Sequence, residues 1–306
     1  FKTKIFDKEI DNPIGMAAGF DENAEVYNPL FRLGFGFVEV GTITPLKQYG
    51  NSKPRVFRLV EDEALINRLG FNNHGGEVVL DRIKSNNKLG LLGINVGPNR
   101  DSNNRINDYL IGLKTFHQVA DYITINISSP NTENLRNFHN KTELEELLEA
   151  IQNEKIKLGS KIPIAVKISP NIENDKIEMI AEILTKYFVE IIIISNTSDN
   201  NRENLKNINK LEKGGLSGKP IELLSNYLIN KFYKLIGKKI KIIGVGGIDS
   251  GHGAFEKIIN GASLVQLYTG MVYKGPNIAS NIGNELIDIL KKQGIKNISE
   301  AVGTKN

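Results

Sequence analysis

Eight short apolar or β-branched runs, each followed by a segment of helical periodicity, predict an α/β chain closed into a TIM-type (β/α)8 barrel. Two further observations favour one barrel over an open doubly wound sheet. The 306 residues fall in the size range of a single barrel, and no break in composition divides them, so one domain over residues 1–306 is expected.

The elements follow in order. KTKIFDKEI (2–10) reads as a small N-terminal β-hairpin ahead of the barrel. PIGMAAG (13–19) is the first strand, followed by a helix over 22–33, and FGFVEVGT (35–42) is the second, with its helix at 74–86. LGLLGINV (89–96) precedes a helix at 104–118, DYITINI (121–127) one at 141–158, and IPIAVKI (162–168) one at 173–187. EIIIIS (190–195), IKIIGVG (240–246) and SLVQLY (263–268) complete the set, with helices at 220–236, 251–259 and 277–293. Three connections, 43–73, 128–140 and 196–219, exceed the usual loop length. All three follow strands, which places them at the C-terminal mouth where barrel active sites are built.

Composition excludes several functions. The formal charge of +4 comes from 39 basic and 35 acidic residues spread along the chain, which argues against a nucleic-acid footprint. There is no cysteine, so disulfides, thiolate metal sites and a Cys base are excluded. His74, His117, His139 and His252 show no zinc-ligand spacing, and carboxylates do not cluster with them at strand ends. No run of eighteen apolar residues or signal-peptide core occurs. The first residue is Phe1 rather than Met, which predicts an upstream segment, while the chain as given is expected to be soluble. Chemistry beyond these side chains is expected from a bound cofactor.

Polar residues close four of the runs: Asn95, Asn126, Lys167 and Asn196. Amides that both donate and accept, beside one cation, suit a planar heterocycle that gains negative charge. Each Asn alone could equally be a turn residue. GVGGIDSG (244–251) and LYTGM (267–271) sit after strands seven and eight, where glycine-bearing loops commonly hold phosphate. GGLSG (214–218) adds a third such loop.

NISSPNT (126–132), NPIGMAAGFD (12–21), EVGTITP (39–45), INRLGFNNHG (66–75), GGLSGKP (214–220), IIGVGGIDSG (242–251) and ASLVQLYTG (262–270) together resemble the dihydroorotate dehydrogenase family. The resemblance runs through almost the whole chain. It implies FMN as cofactor, dihydroorotate and orotate as substrate and product, and a role in UMP biosynthesis. The resemblance further implies a Cys base in the soluble class and a Ser in the quinone-reducing class; with no Cys, this chain offers Ser129 and is expected in the quinone-reducing class, with Thr132 implied on the proton's exit route.

The substrate contacts implied are Asn67, Gly70, Phe71, Asn126, Asn131, Asn196 and Thr197. The implied FMN contacts from the early strands are Ala18, Gly19, Thr42, Asn95, Asn126 and Lys167. Those from the later strands are Ser195, Ser217, Gly218, Gly246, Gly247, Tyr268 and Thr269. Ubiquinone or menaquinone would approach past Arg58 and Tyr268. The class further implies an N-terminal segment that rests peripherally on the cytoplasmic face of the inner or cell membrane.

One position departs from the pattern with consequence. The family's GFDK lysine is Glu22 here, which reverses a charge where the substrate carboxylate is expected. Pro98, Glu133 and Asn134 depart at mouth loops away from the base. Two alternatives follow: another FMN barrel oxidase, which would need a catalytic His, and a homologue that binds FMN or orotate with impaired catalysis because of Glu22.

Overall fold

The computed structural model describes residues 2–5 and 8–306; Phe1 and the turn of the predicted hairpin, residues 6–7, lie outside the described residues. Eight parallel strands close into a barrel. They are β1 (Ile14–Met16), β2 (Phe37–Ile43), β3 (Leu91–Val96), β4 (Tyr122–Asn126), β5 (Ile164–Ile168), β6 (Ile191–Ile194), β7 (Lys241–Val245) and β8 (Leu264–Leu267). Neighbours in space are neighbours in sequence throughout, and β8 closes on β1. Around them lie α1 (Tyr27–Arg32), α2 (Gly76–Lys84), α3 (Arg105–Phe116), α4 (Lys141–Leu158), α5 (Asn174–Lys186), α6 (Glu222–Ile236), α7 (Gly251–Ile259) and α8 (Ile278–Gln293).

The outer faces of the strands and the inner faces of the helices form one continuous core, in which Ile94, Ile123, Ile164 and Ile192 are fully buried. Inside the barrel lies a second core of Phe37, Leu91, Tyr122, Ala165, Ile193 and Ile243. The hairpin strands Thr3–Ile5 and Lys8–Ile10 pair antiparallel, and their Ile5 and Ile10 plug this interior core. The plug closes the N-terminal end and leaves the C-terminal mouth as the open one. Two glycines make the interior fit: a Cβ on Gly15 would lie 2.4 Å from the Phe37 ring, and one on Gly93 would lie 2.1 Å from the Tyr122 ring.

The mouth differs from the sequence expectation. Predicted loops 43–73 and 196–219 are not irregular but meet as a three-stranded antiparallel sheet, with Ala64–Asn67 between Val56–Leu59 and Gly215–Gly218. Leu59, Ala64, Ile66, Leu205, Leu216 and Ile221 give it a core of its own. Its outer strand GLSG is half glycine, so strand propensity does not reveal it; pairing across some 150 residues does.

The helix expected over 22–33 begins only at Tyr27, because the Asp21 carboxylate accepts the amides of Glu25 and Val26 at 2.8 Å each and holds the preceding turn. His74 lies before α2 rather than within a helix. The LYTGM stretch continues into a short helix, Thr269–Lys274. Among the described residues no helix is long and apolar enough to cross a membrane, and no group of His, Asp and Glu could hold a metal ion.

Candidate functional site

A cleft with about 1090 Å³ of atom-free space occupies the mouth, bounded by the ends of the barrel strands on one side and the three-stranded sheet on the other. The turn after β1 brings Ala18, Gly19 and Glu22 to it. Gly19 takes a φ of +98° and donates its N–H to the Gly41 carbonyl at 2.8 Å, which lays backbone rather than side chain along the wall. Thr42, Asn126, Lys167, Ser195 and Asn196 line the floor from the ends of β2, β4, β5 and β6. Gly246, Gly247, Tyr268 and Thr269 line the side beyond β7 and β8.

The sheet supplies the opposite wall. Asn67 ends its central strand, and Ser217 and Gly218 end its outer one. Ser217 Oγ lies 2.8 Å from Thr269 Oγ1, tying the sheet to the start of the short helix. Gly70 and Phe71 form a turn at the rim, whose carbonyls accept Gln48 Nε2 at 2.9 and 3.3 Å.

Ser129 stands on the loop after β4 and is buried at the cleft edge. Its Oγ accepts the Asn131 amide at 3.2 Å, and Asn131 Nδ2 reaches the Asn67 carbonyl at 3.1 Å. The loop is braced from three sides. Tyr109 of α3 donates to the Asn126 carbonyl at 2.6 Å. Arg136 reaches the carbonyls of Ser128 and Thr197 and pairs with Asp199 at 2.9 Å. His139, unremarkable in sequence, is buried, and its Nε2 accepts the Ser169 amide at 3.1 Å, so its proton sits on Nδ1 facing the Arg136 carbonyl. Burial, aided by Arg136 and Lys176, holds this imidazole neutral, with its pKa down at about 4.

Three predicted site residues stand apart from the cleft lining. Asn95 is fully buried one layer beneath it and accepts Thr42 Oγ1 at 2.7 Å. Thr132 is half-buried on the loop behind Ser129. Arg58 is exposed on the edge strand of the sheet.

Two ionisable groups face the cleft and are shifted by burial. Lys167 is buried, which lowers its pKa, while the charge of Glu39 below it opposes that drop. Glu22 enters the same cleft from the β1 turn and accepts a hydrogen bond from Asn72 Nδ2. Its pKa is raised to about 7, chiefly by burial and further by Asp21 and Glu25, against the pull of Arg55 and Asn72. Tyr268, packed edge-on against Phe20 at 5.6 Å, is pushed up by burial and then by Glu22.

The sequence did not reveal Glu39, Tyr122 and Gln266, which meet at the centre of the barrel under this floor. A charged residue inside an otherwise apolar strand run, FVEV, was the available signal. Taken as chemistry, a buried ammonium beside amides and hydroxyls, with positive-φ glycines at one end, fits a planar hydrogen-bonding heterocycle that carries an anionic tail.

Comparison with known proteins agrees with this arrangement. The dihydroorotate dehydrogenase family model matches residues 1–290. The chain is 47% identical over 294 residues to the dihydroorotate dehydrogenase (quinone) of Bartonella tribocorum, covering 94% of this chain and 81% of that protein. It is 46% identical to the Agrobacterium fabrum protein of the same name, with the same coverage. In structure it is similar to the DHODH of Eimeria tenella solved with ferulenol, with a TM-score of 0.96, 37% identity and coverage of 99% of this chain and 88% of that one.

Proposed function

The chain belongs to the dihydroorotate dehydrogenase family, and from that membership we propose how its cleft works and which cofactor it holds. It oxidises (S)-dihydroorotate to orotate in pyrimidine biosynthesis and passes the electrons to a quinone. The family's chemistry is flavin-dependent, and FMN is the flavin these residues fit. Ala18, Gly19, Thr42, Asn126, Lys167 and Ser195 would hold its ring, and Ser217, Gly218, Gly246, Gly247, Tyr268 and Thr269 its ribityl phosphate. Asn95 acts from beneath, through Thr42. When bound, FMN supplies the acceptor for the hydride that leaves substrate C6.

Dihydroorotate is held by Asn67, Asn126, Asn131, Asn196 and Thr197, with Gly70 and Phe71 closing its rim. Ser129 takes the proton from C5. A serine hydroxyl is a weak base at neutral pH and needs an outlet for that proton, which Thr132 offers on the solvent side of the loop. Lys167 balances negative charge that develops over the floor. Ubiquinone or menaquinone approaches on the side of Arg58 and Tyr268, and the full-length protein rests peripherally on the cytoplasmic face of the membrane through its N-terminal segment. Residues 1–306 act as one catalytic domain.

The observation that carries this assignment is Ser129, buried in the lining of one cleft with Asn126, Asn131 and Lys167 in a chain without cysteine. A second version of the assignment rests on Glu22, whose carboxyl occupies the cleft: a binder of FMN and orotate with impaired turnover. Anaerobic titration of the yellow protein with dihydroorotate tests both. Bleaching of the flavin absorbance supports the dehydrogenase, and a yellow protein that does not bleach selects the impaired binder. A protein that takes up no flavin overturns the cofactor assignment.

A further inference from the structure

Four polar side chains meet inside the barrel below the cleft, all fully or almost fully buried: Glu39 of β2, Asn95 of β3, Tyr122 of β4 and Gln266 of β8. Glu39 is their common acceptor. Its Oε1 accepts Asn95 Nδ2 at 2.8 Å, and its Oε2 accepts Tyr122 O–H at 2.8 Å and Gln266 Nε2 at 3.0 Å. Burial raises the Tyr122 pKa well above its ordinary value, so the phenol keeps the proton it donates. Tyr122 reaches the barrel axis only because residue 93 is glycine.

This meeting point continues upward as a column of hydrogen bonds whose direction is forced. A carboxylate only accepts, so Asn95 must turn its amide nitrogen down and its oxygen up. That oxygen accepts Thr42 Oγ1 at 2.7 Å, which uses the hydroxyl's single proton. Thr42 is then left as an acceptor for Asn126 Nδ2 at 2.9 Å. Asn126 therefore points Oδ1 toward Ser128 and Asn196, whose Nδ2 lies 3.4 Å away. Each amide has two orientations of similar shape: the buried carboxylate selects the one at Asn95, and at Asn126 the column and the Ser128 main-chain N–H, 3.3 Å from Oδ1, act in the same sense.

We propose that Glu39 is a positioning residue: it sets the polarity of the column Asn95–Thr42–Asn126 and thereby makes the floor of the cleft present the amide oxygen of Asn126 and the orientation of Asn196 that orotate and its precursor recognise. Glu39 is also the charge that offsets the burial of Lys167, so removing it disturbs both polar elements of the floor. The inference rests on the assignment of the cleft as the flavin and orotate site.

The test is orotate binding to the FMN-loaded protein, followed by the flavin absorbance, in Glu39→Gln. A Gln side chain can donate as well as accept, so Asn95 is free to turn over and the column loses its fixed direction. Orotate affinity is expected to fall about tenfold, the size of one mis-set buried hydrogen bond. Tyr122→Phe removes a donor to Glu39 but leaves the column intact, so it is expected to lower thermal stability while keeping orotate affinity within about twofold. If Glu39→Gln does not fold, Asn95→Leu cuts the same column one step higher and is expected to show the same tenfold loss. Orotate affinity unchanged in folded Glu39→Gln or Asn95→Leu overturns the proposal, as does an equal loss in Tyr122→Phe, which would mark the effect as general destabilisation. Wild-type protein that takes up FMN but binds no orotate would instead overturn the assignment of the cleft, and this inference with it.

Discussion

Replacing Glu22 by Gln isolates what an ionisable carboxyl does in this cleft. The pKa of Glu22 moves from an ordinary 4.5 to about 7 on folding, mainly through burial. At about 1.4 kcal/mol per pH unit that is a preference of ~3 kcal/mol for the neutral acid in the folded protein. Below pH 4.5 the carboxyl is neutral in both folded and unfolded chains and imposes no penalty. As pH rises through 7, the unfolded chain ionises freely while the folded one must hold a charge in a partly dry cleft, so stability is lost across that window. Glu22→Gln preserves shape and the contact with Asn72 but has no charge to lose. Its stability relative to the native protein should therefore rise from near zero at pH 4.5 to roughly 3 kcal/mol at pH 8. Urea unfolding followed by circular dichroism at several pH values between these limits measures the difference directly. Parallel curves for the two proteins would refute the assignment of a buried, proton-holding carboxyl at this position.

Three further outcomes follow from the geometry. Ser129→Ala should retain FMN and orotate binding but slow flavin reduction by dihydroorotate by a factor of about 10² to 10⁴, as loss of a positioned base does; near-normal stopped-flow rates would remove Ser129 from that role. His139 is neutral when folded, with a pKa of about 4 against an ordinary 6.5, so stability should decline by ~3 kcal/mol as pH falls from 6.5 toward 4, and His139→Gln should flatten that slope in acid-side urea titrations. Gly247→Ala places a Cβ 2.5 Å from Glu222 Cβ at a φ of +77°, so the loop must shift; FMN affinity measured by fluorescence should fall at least tenfold, about 1.4 kcal/mol.

Much of this protein is written locally. The eight βα cycles follow from runs such as Ile191–Ile194, whose apolar continuity suits burial on both faces of a parallel sheet. The candidate base was indicated through the family resemblance of the motif at 126–132, which in a chain without cysteine points to Ser129, a residue of the cleft lining. The glycine loops after β7 and β8 were legible by their place in the βα order.

Other features depend on which distant residues meet. The sheet over the mouth joins Gly215–Gly218 to Ala64–Asn67, and no local period announces a pairing across that separation. Asn95, which sequence order groups with the cleft residues, lies beneath them, since the stagger of the closed barrel decides whether a strand end stands at the floor or one layer down. Glu39 could be seen as an oddity in an apolar run, but only barrel closure brings Tyr122 and Gln266 to it. Glu22 was visible as a reversed charge in a familiar motif. Its state was not, because burial sets it: the sequence by itself determined the eight barrel strands and the motifs that follow them, whereas only the tertiary structure decided which distant segments pair over the mouth and how much water each polar group keeps.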